Sequence, residues 1–106
     1  MTGLTIKQAE ALAPVPTWAK QRDYERVSEK ESNGKVLITD TATILSDPFA
    51  TIAMEWQTDV MPDGTVKTLE SIKLCTGDDE AYIDSRHLPH VVFVLCHAAI
   101  TAGVAL

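Results

Sequence analysis

The sequence predicts an α+β fold: an antiparallel meander of three to four strands packed against a C-terminal helix, with a short N-terminal helix at its edge. Three observations predict it. The middle of the chain alternates apolar and polar residues in runs separated by Asn-Gly, Pro-Asp-Gly and Thr-Gly-Asp turns. Residues 88–106 hold no Asp, Glu, Lys or Arg, and their apolar positions recur at helical spacing. No repeat, low-complexity tract or linker interrupts residues 1–106, so a single domain is expected.

Residues 5–13 have the pattern of a short helix, with Thr5 as its cap and Ile6, Ala9, Leu12 and Ala13 on one face. Pro14 and Pro16 end it. The charged segment 17–31 fits a helix about as well as a strand. Asn33-Gly34 reads as a hairpin turn because residues 35–45 are rich in Val, Ile and Thr, and Asp47-Pro48 closes that strand.

Residues 49–60 give the cleanest strand pattern, with Ile52, Met54, Trp56 and Val60 alternating against Thr51, Glu55, Gln57 and Asp59. Met61-Pro62-Asp63-Gly64 is a turn by its chemistry, so residues 65–75 should pair antiparallel with the preceding strand. The apolar phase slips between Val66, Leu69 and Ile72, which predicts a bulge within residues 68–71. Residues 76–79 make another turn, and residues 80–83 are short enough for a final edge strand.

The C-terminal helix can begin at Asp84 or Ser85, with Pro89 near its start. On a helical wheel Leu88, Val92, Leu95, Cys96, Ala99, Gly103 and Leu106 share the face expected to pack, while His87, His90, His97 and Thr101 lie opposite. Ala99 and Gly103 would permit close approach of a partner element. A helix this apolar requires cover, either from the sheet or from another molecule, and Phe93, Val94, Ala98 and Ile100 are the positions left in question.

Charge narrows the functional classes. Nine Lys and Arg against fifteen Asp and Glu give a net charge of -6, spread over both halves. Nucleic-acid binding through phosphate contacts needs a basic stripe that is absent from this sequence. A protein partner fits better. Cys75 and Cys96 read as buried apolar thiols that form no disulfide framework, and no secretory signal opens the chain, so the expected location is cytoplasmic. The uncharged run after Pro89 is shorter than the ~20 residues a spanning helix needs, and no basic flank follows it, so a membrane anchor is the disfavoured alternative.

Catalytic and metal chemistry find little to use. His87 and His90 lie one turn apart and are candidate metal ligands with Asp84 as a third, whereas His97 is about 10 Å further along the helix axis. The acidic residues Asp78, Asp79, Glu80 and Asp84 lack the Gly and terminal Glu of a helix-loop-helix calcium site. Glu55 and Glu70 are the one carboxylate pair on neighbouring strands, with an exposed sheet face beside Lys67 and Lys73 as the plainer explanation. No phosphate loop or nucleophile elbow is present, and Cys96 on a packed face would lack both access and an electropositive neighbour. No cofactor is implied. Trp56 belongs to a strand's buried face, while Trp18 either plugs one end of the core or serves as a contact anchor.

With Pro16-Thr17-Trp18, a strand meander and a helix after a short strand, the chain resembles a loose group of small actinobacterial and actinophage proteins. Members of that group carry an N-terminal Pro-x-Trp-Cys element with a nearby His, a middle of short strands and an Ala/Leu-rich C-terminal helix. Here Ala19 stands at the Cys position and Tyr24 where a His is expected, so no metal role and no activity carry over. Together these readings favour a non-enzymatic, self-associating protein-binding factor, as a phage or prophage accessory protein acting on a host protein. Trp18, Phe93, His97 and Ile100 are its candidate contact residues. A small metal-binding enzyme or sensor using the helix histidines is the alternative.

Overall fold

The computed structural model describes residues 3–103. Five strands run as a simple antiparallel meander in the order β1 (Glu25–Lys30), β2 (Val36–Ser46), β3 (Thr51–Val60), β4 (Val66–Thr76) and β5 (Asp79–Asp84). The sheet therefore has one strand more than the upper expectation, because the ambiguous charged segment supplies β1 as well as a 3-10 turn at Thr17–Lys20. Helix α1 (Ile6–Leu12) precedes the sheet, and a second 3-10 turn (Ser85–His87) leads into helix α2 (Leu88–Thr101).

Turn chemistry sets the meander. Residues 31–35 and 61–65 form the same loop: the N–H of Gly34 donates to the Glu31 carbonyl at 3.0 Å, and that of Gly64 to Met61 at 2.9 Å. Each glycine has φ 89, the left-handed step that closes a three-residue hairpin. Asn33 and Asp63 each accept from the backbone N–H two residues on, at 3.0 and 2.9 Å. Between β4 and β5 the turn is two residues long, with Gly77 at φ 61 in its first position.

The expected bulge is not in β4, whose register against β3 is unbroken from Val60↔Val66 to Thr51↔Cys75. It lies in β2, between Thr43 and Leu45, and leaves Ile44 without a partner on β3. Leu69, which broke the apolar phase of β4, simply faces the polar side opposite Gln57.

Cross-strand pairing sorts the sheet into two faces, since directly opposed residues project to the same side. One face carries the rows Val36–Val60–Val66, Ile38–Thr58–Thr68, Asp40–Trp56–Glu70, Ala42–Met54–Ile72–Ile83 and Leu45–Ile52–Leu74–Ala81. The other carries mostly Thr, Glu, Lys and Asp.

The core is small and sits under α1. A capping box starts that helix, with Gln8 N–H donating to Thr5 Oγ1 at 3.1 Å and Thr5 N–H donating to Gln8 Oε1 at 2.9 Å. Ala9 and Ala13 pack with Val36, Ile38 and Val60, and Leu4 adds to the cluster. The remaining expected core positions, Ile6 and Leu12, are exposed. Of the four apolar positions on that face of α1, Ala9 and Ala13 are the buried ones, because their small side chains let the helix backbone lie close to the sheet.

The C-terminal helix departs most from expectation. It does not pack on the sheet: α2 contains no buried residue. Leu88 and Ala99 are half-buried, while Val92, Leu95 and Cys96 of the expected packing face are exposed. Gly103 does not thin an interface either. It adopts φ 77 and terminates the helix, its N–H donating to the Ile100 carbonyl at 3.0 Å. Leu106, the last position of that face, lies outside the described residues. The molecule is correspondingly long, at 61 × 26 × 25 Å, with a radius of gyration of 17.2 Å against about 13 Å for a compact chain of this length.

Candidate interaction surface

Two features stand out on the apolar face: a polar knot where α1 and the first 3-10 turn end, and a bare apolar strip beyond it. The knot centres on Asp40, which is fully buried in phase with Val36 and Ile38. Arg26, its cross-strand neighbour, donates from Nε to Oδ1 at 2.7 Å and from Nη2 to Oδ2 at 3.1 Å. Tyr24 donates its hydroxyl to Oδ1 as well. Arg26 Nη2 also reaches the Pro14 carbonyl at 2.8 Å, tying the end of α1 to β1. Ser28 donates to Glu10 at 2.7 Å and makes a second tie.

These partners shift two groups. Hydrogen bonding to Asp40 holds the Arg26 guanidinium above its ordinary value. Burial, and then donation to the Asp40 carboxylate, raises the Tyr24 phenol. Asp40 thus has the partners a buried carboxylate requires.

Above the knot Trp18, Tyr24 and Trp56 meet edge to face, with centroids 6.0 Å apart for both Trp18 pairs. Trp18 is 8% exposed, so it plugs the end of the core and is not available as a contact anchor. Its Nε1 has no hydrogen-bond partner among the described residues. Trp56 is half-buried and donates its indole N–H to Glu70 across the strands.

Beyond this layer no helix of the described residues lies over the sheet. Ala42, Met54, Ile72 and Ile83 form one row, and Leu45, Ile52, Leu74 and Ala81 the next. Neither row contains a charge, and six of the eight residues are half-buried or exposed apolar side chains larger than alanine. Sequence alternation predicted Ile52 and Met54 as core. The structure leaves them half-buried because α1 is too short to reach them.

α2 supplies the second bare surface. Phe93 and Ile100 are 68% and 65% exposed, with Val92, Val94 and Leu95 also open. Phe93 stacks on His97 with ring centroids 6.4 Å apart, so Phe93, His97 and Ile100 form one continuous stripe. Three of the four candidate contact residues thus come together on α2, and Trp18 does not join them. The strip itself was missed, although the shared phase of Met54 and Ile72 with Trp56 was its available signal.

The chemical candidates fare differently. Glu55 lies opposite Ser71 and Glu70 opposite Trp56, so the two carboxylates occupy opposite faces of the sheet and cannot act as a pair. Asp84 caps the 3-10 turn and accepts from Arg86, whose Nη2 is 2.8 Å away; these bonds hold its carboxyl below the usual range. That carboxylate is therefore already engaged beside His87 and His90. Among the described residues no group of three His, Cys, Asp or Glu side chains is placed to hold a metal ion. Both cysteines are free, Cys75 half-buried and Cys96 exposed, which corrects the reading of two buried thiols. Among the described residues no helix is long and apolar enough to cross a membrane.

No family model, no curated protein and no solved structure matches the chain.

Proposed function

We propose that this is a non-enzymatic protein-binding protein whose contact surface is α2 together with the uncovered strip of the sheet. One observation carries the reading: a helix of fourteen residues with no charged side chain has no buried residue. Large exposed apolar patches on a small protein mark contact sites, since each square ångström left in water is unfavourable. The resemblance to actinobacterial and actinophage proteins suggests a setting, an accessory factor acting on a host protein.

The test immobilises the full chain and passes over it, separately, host lysate and a tagged soluble copy of the same chain. Retention from either that is lost in the Phe93→Glu/Ile100→Glu variant supports the reading. If neither is retained in a manner sensitive to that variant, the surface binds no protein and the reading fails.

A further inference from the structure

We infer that the occupant of this surface is a second copy of the chain, with α2 of one protomer laid across the bare strip of the other and the exchange made twice about a two-fold axis. This inference rests on reading α2 as a protein-binding element. The area involved points to it. The chain exposes 7410 Å², whereas a compact monomer of 11.6 kDa exposes about 5,800 Å². The excess is roughly 1,600 Å² per chain. Two copies that each cover it bury roughly 3,200 Å² in total, inside the range of about 2,000–5,000 Å² that permanent dimers bury.

Chemistry selects the same occupant. The protein carries a net charge of -6, yet α2 and the rows Ala42–Met54–Ile72–Ile83 and Leu45–Ile52–Leu74–Ala81 carry no charged side chain. Two like-charged molecules can therefore meet at these surfaces without burying an unpaired charge. A basic partner drawn by the net charge would find nothing on them to pair with. Helix-to-helix packing alone would cover α2 and leave the strip of Met54, Ile72 and Leu74 in water. Reciprocal docking of helix on sheet covers both at once, and the self-complementary patch closes into a dimer without leaving free ends for further growth.

Light scattering on the full chain over a concentration series tests this, with reductant present so that exposed Cys96 cannot link copies through a disulfide. A dimeric mass is expected. Phe93→Glu/Ile100→Glu on the exposed helix should move the dimer midpoint at least about 100-fold higher in concentration, with circular dichroism unchanged. Ile72→Glu on the strip should do the same. A mixture of the helix variant with the strip variant should recover part of the dimer, because one of the two helix-on-sheet contacts is then intact. A monomeric wild type at high micromolar concentration overturns the inference, while lysate retention through Phe93 and Ile100 would still uphold the binding reading. A dimer insensitive to Ile72→Glu, in a variant with native circular dichroism, also overturns it by placing the contact elsewhere.

Discussion

Arg26 holds both carboxylate oxygens of Asp40 across neighbouring strands, and Asp40 is buried completely. The same guanidinium bonds the Pro14 carbonyl, so one side chain neutralises the buried charge and fastens the end of α1 to the sheet. Removing Arg26 leaves an uncompensated carboxylate in a core that is already small. Arg26→Met should therefore cost about 3–5 kcal/mol in urea unfolding. The double variant Arg26→Met/Asp40→Leu should recover much of that loss, because no buried charge then remains. If the double variant is no more stable than Arg26→Met alone, the pair is not what makes the single change costly.

Trp18 separates packing from hydrogen bonding. Its ring meets Tyr24 and Trp56, but its Nε1 is buried without a partner among the described residues. Trp18→Ala should cost about 3–5 kcal/mol through the cavity it leaves. Trp18→Phe keeps an aromatic ring in place and deletes the unsatisfied donor, so its cost should stay under about 1.5 kcal/mol. Thermal unfolding followed by circular dichroism compares the two; equal losses would show that the ring contacts with Tyr24 and Trp56 are not what Trp18 contributes.

Gly64 sits at φ 89 in the β3–β4 loop with open space where a Cβ would be. Gly64→Ala should thus cost about 1–2 kcal/mol through backbone strain alone, without a steric clash. Asp63→Ala removes the bond to the Thr65 N–H and should add a smaller loss. Chemical denaturation of both variants checks the order, and a neutral Gly64→Ala would show that the loop relaxes.

The strands were legible because their ends are written in turn chemistry: Asn33-Gly34, Asp63-Gly64 and Gly77 each sit where a hairpin needs a left-handed step. Alternation placed Trp56 and Val60 on one face correctly. It placed Ile52 and Met54 on that face too, yet they are only half-buried, as Trp56 is, since periodicity reports which side a residue faces and not whether anything covers that side. The helix α2 was legible as a helix, yet its cover was not, because an all-apolar wheel fits a sheet of its own chain and one of a second chain equally well. Asp40 was legible in principle. It falls in phase with Val36 and Ile38, and a charge on an apolar face signals a buried partner, here Arg26 on a segment that composition left undecided between helix and strand.

Acid should loosen the loops that aspartates hold. Asp23 accepts from the Thr43 N–H beside the β2 bulge, at 3.0 Å for each oxygen. Asp47 accepts from Phe49 and Ala50, Asp63 from Thr65 and Asp84 from Arg86. In each case these hydrogen bonds hold the carboxyl below its ordinary value of 3.8. A carboxyl depressed in the folded state binds its proton more readily once unfolded, so the stability it contributes is complete above pH 3.8 and lost as pH falls through the folded value. Stability should accordingly be flat from these four groups near neutral pH and drop below about pH 4. The variant Asp23→Asn/Asp47→Asn/Asp63→Asn/Asp84→Asn removes the titrating groups and should flatten the acid limb of the unfolding curve. An acid limb that keeps its slope in that variant would assign the pH dependence to other carboxylates.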